Sequence, residues 1–355
     1  MPTNPHPIRS GVSVPLFASP GNIAFRTPSY SALDARQTID YAILADELGY
    51  DSLWIADHLQ LGKDGAILEG WTTLAALAGA TKRVSLGTIH LSNVFRHPPQ
   101  VAKQAATLDQ LSGGRLIFFF DAGWNAVESE AYGFEFADAS TRVARMREAI
   151  ELIRRLWTES GPIDHAGTHY HVRQATCEPK PVRRPHPPIW LGETTHEGLL
   201  DAAAVLGQGW NSVPASPGEY SGKLAKLEAA CRRANRDLAD LELSLETQLL
   251  IAPSHGEVDR VVDRIEALRQ AEVEHARATG APDNAALALP AQSIVTDQRH
   301  RWLVGTPDEV IDQIRVYQAL GVTHFMHWFL DAPAPAGLKL YAEKVKPALA
   351  LTGRP

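Results

Sequence analysis

The sequence predicts an α/β protein folded as a (β/α)8 TIM barrel, one domain over residues 1–355. Three observations predict it. About eight short runs, apolar on both faces, alternate with helical stripes, as parallel strands covered by helices require. No Gly-x-Gly-x-x-Gly follows an early strand, which counts against a doubly wound dinucleotide fold. Successive runs end in polar chemistry: Asp57-His58, then His90, then Asp121. Polar groups shed at the same end of consecutive strands describe the mouth of a barrel.

Gly11 to Phe17 reads as the first strand. Leu33, Ile39, Ala42, Ile43 and Leu48 form a helical stripe stopped at Gly49. Ser52 to Ala56 is the second strand and Trp71 to Ala80 an Ala/Leu-rich helix. Val84 to Ile89 is the third strand. Pro98 to Leu111 is the third helix, opened by proline and ended by Ser112-Gly113-Gly114. Arg115 to Phe120 is the fourth strand and Ala139 to Trp157 the fourth helix. The second half repeats the theme: strand 188–192 and helix 197–206, strand 209–213 and helix 218–234, strand 241–251 and helix 257–278. Helix 307–320, capped by Thr306, strand 322–330 and helix 338–349 close the chain. Two segments exceed a minimal barrel, 158–187 after the fourth unit and 279–301 after the seventh. Loops of that length are usually lids or interface elements.

Composition narrows the function. Apolar residues make up 45% and charged residues 21%, and the net charge of -7 argues against nucleic acid as a partner. No apolar run approaches the roughly 20 residues of a membrane helix, and Met1 to Arg9 lacks a signal-like apolar stretch. Cys177 and Cys231 have no Cys-x-x-Cys spacing, so neither a disulfide framework nor a thiolate metal site is expected, and a cytoplasmic location is. His165, His169 and His171 lie on a loop without a cysteine partner, so no metal is assigned to them. Around the mouth, aromatic and neutral polar residues outnumber carboxylates, which suits a large planar ligand. Read alone, His58 is as well a histidine capping a strand. Glu128 and Glu130 are as well solvated carboxylates in a first helical turn. Trp54 points to the core by alternation, and Trp124 lies on a loop.

The segments DSLWIADHL (51–59), LGTIHLSNVFRHPPQVAKQAATLDQLSGGRL (86–116) and AGWNAVESEAYGF (122–134), extended by HPPIWLGE (186–193) and RWLVGTPDEVIDQI (301–314), carry a resemblance. In this order and combination they resemble the luciferase-like family of flavin- and deazaflavin-dependent oxidoreductases. The nearest likeness is to the branch that uses the deazaflavin coenzyme F420. The resemblance implies hydride transfer between F420 and a small organic substrate. It implies a non-proline cis peptide at Ile89-His90 against one face of the ring, and backbone amides near Gly192, Glu193 and Thr194 at the cofactor side chain, with Asn211-Ser212 beside them. Asp57, Ser92, Trp124 and Asn125 complete the implied cofactor site. His58 is implied as the residue that donates or accepts the proton accompanying hydride transfer, with Asp57 setting its tautomer or contacting the cofactor and Glu128 as a second catalytic carboxylate. Phe17, Leu59, Arg301 and Trp302 are the expected substrate wall, and Arg301 resembles an arginine that grips phosphate in the sugar-phosphate enzymes. The chain departs from those enzymes in Leu59 to Gly62, where they carry a tryptophan, and in Asp121-Ala122-Gly123, where they carry Gly-x-Gly. A sugar phosphate is therefore not the expected substrate. The alternatives are an FMN-dependent monooxygenase fed by a partner flavin reductase, with O2 as reactant, and a non-catalytic flavin-binding barrel. A homodimer is expected from the resemblance.

Overall fold

The computed structural model describes residues 7–192, 196–280 and 287–350. In chain order, strand β1 (Arg9–Ser13) leads to helix α1 (Ala35–Glu47), β2 (Ser52–Ala56) to α2 (Gly70–Ala80), and β3 (Ser85–Ile89) with a short β4 (Leu91–Ser92) to α3 (Pro98–Ser112). Next come β5 (Leu116–Asp121), α4 (Ala126–Ala131), α5 (Ala139–Thr158) and the strands β6 (Ile163–Ala166) and β7 (His171–Ala175). The chain continues through β8 (Ile189–Gly192), α6 (Glu197–Leu206), β9 (Gly209–Ser212), α7 (Pro217–Arg233), β10 (Glu242–Ile251), α8 (His255–Thr279) and α9 (Ala291–Gln298). It ends with β11 (Leu303–Gly305), α10 (Pro307–Ala319), β12 (His324–Phe329), α11 (Ala336–Leu340) and α12 (Lys346–Ala350).

Eight strands close into a parallel barrel in the order β12, β1, β2, β3, β5, β8, β9, β10 and back to β12. Each is flanked by helices, so both faces are buried. The segment 158–187 contains the antiparallel hairpin β6–β7. The segment 279–301, which shows little periodicity in sequence, contains α9. The closing helix, expected to be continuous over 338–349, is instead interrupted between α11 and α12 by a π turn, Tyr341–Val345. Pro347, which has no amide hydrogen to donate, lies just beyond it. The wider turn keeps Tyr341 and Val345 both inward, and Tyr341 Oη reaches Ser10 Oγ and His327 Nε2, each at 3.0 Å. Among the described residues, no helix is long and apolar enough to cross a membrane.

Strand alternation turns Trp54, Phe119 and Trp190 into the barrel, where the Trp54 and Trp190 rings sit 5.3 Å apart. Gly87 and Gly209 make this stack possible: a Cβ on either would overlap the indole of Trp54 or Trp190. Beneath the stack, buried His324 bridges Ser52 Oγ (2.7 Å) and Glu242 (3.0 Å), and Arg9 reaches the same carboxylate. A closed polar floor leaves the opposite, C-terminal end of the strands as the open mouth.

One buried acid outside the mouth gives a testable consequence. Asp331, just after β12, accepts the Gly337 amide at 2.7 Å, and burial pushes its carboxyl up to about 6. A group protonated more readily when folded costs stability as pH rises from its unfolded value near 4 through 6. Asp331→Asn keeps the acceptor for Gly337 and removes the ionisation. Urea unfolding is expected to show the variant about 2–3 kcal/mol more stable than the parent at pH 7 and nearly equal below pH 4. Equal stability of the two at pH 7 would contradict the assignment.

Candidate active site

The chain leaves β2 at Asp57 and His58, and the two side chains part. Both Asp57 oxygens receive the Arg96 guanidinium at 2.6 Å, and Oδ2 also accepts the Ser92 amide at 2.8 Å. Asp57 therefore braces the segment after β3. Its carboxylate is committed to Arg96 and Ser92, which corrects one of the two roles the resemblance implies for it, setting the tautomer of His58. Residues that follow one another off a strand point to opposite sides, so the neighbour in sequence is not the neighbour in space.

The partner of His58 is Glu128. Its Oε2 lies 2.8 Å from His58 Nδ1, while Oε1 accepts the amides of Leu59 and of Gln60, the latter at 3.0 Å. Asn125 caps α4 through the Glu128 amide, which fixes the turn that delivers this carboxylate. Glu128 is fully buried rather than a solvated first-turn acid. Burial alone would raise its carboxyl, but the hydrogen bonds from His58 and from the Gln60 and Leu59 amides outweigh that and hold it below the ordinary range. Its ionised form is thus secure at neutral pH and is lost only when the pH falls through that depressed value. A carboxylate facing Nδ1 makes that nitrogen the donor and leaves Nε2 an acceptor with no partner among the described residues. Trp124, largely exposed, stands edge-on to the imidazole with ring centres 5.3 Å apart.

A second histidine forms the adjoining wall. The Ile89–His90 peptide is cis, as the resemblance implies. His90 Nδ1 lies 3.1 Å from Asp121 Oδ2, and the ring packs 4.3 Å from Phe119. Burial would raise Asp121, but His90 and the Gly123 and Ala122 amides hold it low. The charge that distinguishes this chain after β5 is thus held against His90. His90 Nε2 is buried and has no partner among the described residues. It faces Gly192, where a Cβ would come within 3.1 Å. The missing Cβ of Gly192 makes room for the imidazole itself, and the orphaned ring nitrogen is a polar atom that the edge of a bound heteroaromatic group would satisfy.

The other predicted residues scatter around this centre. Ser92 Oγ caps the following turn through the Val94 amide. Ser212, at the end of β9, donates to the Val213 carbonyl and receives Lys223 Nζ at 3.3 Å. Asn211 is buried deeper, bonded to Ser244. Phe17 is fully buried beneath Phe25 and Trp328, so it supports the wall from behind. Leu59 is engaged through its backbone, its carbonyl accepting Tyr132 Oη at 3.0 Å. Arg301 and Trp302 border a separate cleft of about 480 Å³, and Arg301 is bound to Glu219 through both Nε (3.0 Å) and Nη2. It is not a free cation. Glu193 and Thr194 lie outside the described residues.

Several site residues were not singled out from sequence. Arg96, inside the segment 86–116, carries the clamp on Asp57. Glu246 in β10 is buried at the mouth, bonded to Trp328 Nε1 (2.7 Å) and Arg26 (2.9 Å). The signal for it was present: Glu242, Ser244, Glu246 and Gln248 alternate with Leu243, Leu245, Thr247 and Leu249, a polar stripe of period two facing the barrel interior. The hairpin histidines serve the insert itself, with His165 Nε2 on Glu148 at 3.1 Å.

Comparison with known proteins matches residues 17–324 to the family described as luciferase-like monooxygenase. An F420-dependent glucose-6-phosphate dehydrogenase of Beutenbergia cavernae is 31% identical over 325 residues, covering 88% of this chain and 93% of that protein. One of the same description from Intrasporangium calvum is 31% identical over 306 residues, covering 82% and 88%. Among solved structures, an F420-dependent secondary alcohol dehydrogenase in complex with an F420–acetone adduct superposes with a TM-score of 0.74 at 21% identity, covering 97% of this chain and 99% of that one. EDTA monooxygenase from Chelativorans superposes equally, at 0.74 and 21%, covering 98% and 94%. At such identities these likenesses establish the barrel.

Proposed function

The chain belongs to the luciferase-like monooxygenase family, and on that premise we propose that it is an oxidoreductase moving hydride between the deazaflavin F420 and a small organic substrate. The observation that carries this reading is the His58–Glu128 pair: a buried carboxylate on Nδ1 leaves Nε2 free at the mouth to exchange a proton. F420, when bound, supplies two-electron hydride chemistry. His90, Gly192, Ser92, Asn125, Ser212 and Trp124 are the residues that would hold it, joined by Glu193 and Thr194, with Ile89 shaping the wall. Asp57 acts behind them by fixing Ser92. In the oxidative direction the substrate hydroxyl gives its proton to His58 Nε2 as its carbon gives up hydride. In reverse, the imidazolium returns the proton to the carbonyl oxygen. Glu128 stabilises the imidazolium and keeps the ring in register. The homodimer implied by the resemblance and the cytoplasmic location expected from the cysteine usage belong to this same proposal.

The test is direct titration of the purified protein with F420 and, separately, with FMN, followed by absorbance and fluorescence. Saturable binding of F420, and its reduction by an oxidisable substrate under anaerobic conditions, is expected. Tight binding of FMN with none of F420 would overturn the cofactor and favour an oxygen-using monooxygenase served by a reductase. Binding of either without turnover by any donor would favour the non-catalytic barrel.

A further inference from the structure

The cleft beside the proton-handling histidine also carries information on what it accepts. A cavity of about 640 Å³ opens against Trp124, the same ring that stands over His58, and runs between the β1–α1 loop and α8. Its apolar walls include Phe25, Leu61, Trp124 and Leu287. Its lysine, Lys63, is bound to Glu272 of α8 at 2.6 Å, and Asp64 adds a further carboxylate. His275 is the other titratable group on the lining. The undescribed segment 281–286 that follows α8 contains neither Lys nor Arg.

We propose that this cleft selects an uncharged, largely apolar alcohol and discriminates against phosphate esters. The inference rests on the hydride-transfer reading above and sharpens it. A phosphate dianion entering here meets carboxylates in excess of cations, and the one lysine is already neutralised. The arginine whose counterpart grips phosphate by resemblance lies in the other cleft, where Glu219 holds it. Glu219 is itself fixed by the α7 capping box on Ser216, so it does not swing aside readily.

The experiment uses a matched pair, benzyl alcohol and benzyl phosphate, titrated into the full-length protein with and without F420 and followed by tryptophan fluorescence. Trp124→Phe identifies the signal that arises in this cleft. Benzyl alcohol is expected to bind at least about 10-fold more tightly than benzyl phosphate. Glu272→Gln, which frees the Lys63 charge, is expected to strengthen benzyl phosphate about 5-fold or more. Tighter binding of the phosphate by the parent protein, no saturable signal from the alcohol, or an unchanged phosphate affinity in Glu272→Gln would each overturn the proposal. Failure of F420 to bind overturns the hydride-transfer reading instead, because the cleft titrations are also read without it.

Discussion

Replacing His58 with alanine is expected to lower kcat for F420 reduction at least about 100-fold, the usual worth of a positioned proton acceptor, while F420 affinity changes little. The expectation follows from geometry. His58 offers one free nitrogen to the mouth because Glu128 occupies the other. His90 also has a carboxylate at Nδ1, but its Nε2 is buried against Gly192 rather than turned to the mouth, and His324 is sealed beneath the tryptophan stack. The fold should tolerate the loss, because Glu128 retains the Leu59 and Gln60 amides when the imidazole is gone. His58→Gln adds a useful contrast. Its amide can still donate to Glu128 but cannot take up a proton at neutral pH, so it should match the alanine variant in kcat while recovering thermal stability. Rapid mixing with a saturating alcohol measures both variants. Parent-like kcat in either would remove His58 from the chemistry.

How the mouth is wired was only partly legible in the chain. Which end of each strand carries chemistry could be read, because Asp57-His58, His90 and Asp121 follow apolar runs of strand length. The inward direction of Trp54 followed from alternation, and the polar stripe from Glu242 to Gln248 was equally readable by the same rule. Pairings across loops were not. His58 and Glu128 are 70 residues apart, Asp57 and Arg96 are 39 apart, and Arg301 and Glu219 are 82 apart. Periodicity reports the face a residue occupies on its own element, not the loop it meets when eight strands close. The carboxylate next to His58 in sequence was therefore the attractive partner, and the true one came from a helix after β5. The same reasoning applies to Arg301. Its charge was visible, and the Glu219 that neutralises it from α7 was not.

Glu128 carries the second large effect, and the substitution that isolates it is glutamine. Glu128→Gln preserves volume and keeps Oε1 as acceptor for the Leu59 and Gln60 amides. It places an amide NH2 where Oε2 faces His58 Nδ1. A donor there requires Nδ1 to accept, which moves the ring proton to Nε2, the atom that must receive the substrate proton. The imidazole then sits in place in the wrong tautomer. Isosteric amides at the orienting carboxylate of hydrolytic triads cost about 10⁴-fold, and a fall in kcat on the order of 10³-fold is expected here, with KM changed only a few-fold. Nitrogen chemical shifts of the His58 ring should report the proton on Nδ1 in the parent and on Nε2 in the variant. That readout separates a positioning role from a merely structural one, which would lower the melting temperature and leave the tautomer alone. Glu128→Ala, by contrast, strands two buried amides and the imidazole together, and should cost about 2–4 kcal/mol of stability in urea unfolding. Parent-like kcat in Glu128→Gln, or a lost kcat with the proton still on Nδ1, would show that Glu128 does not act through His58.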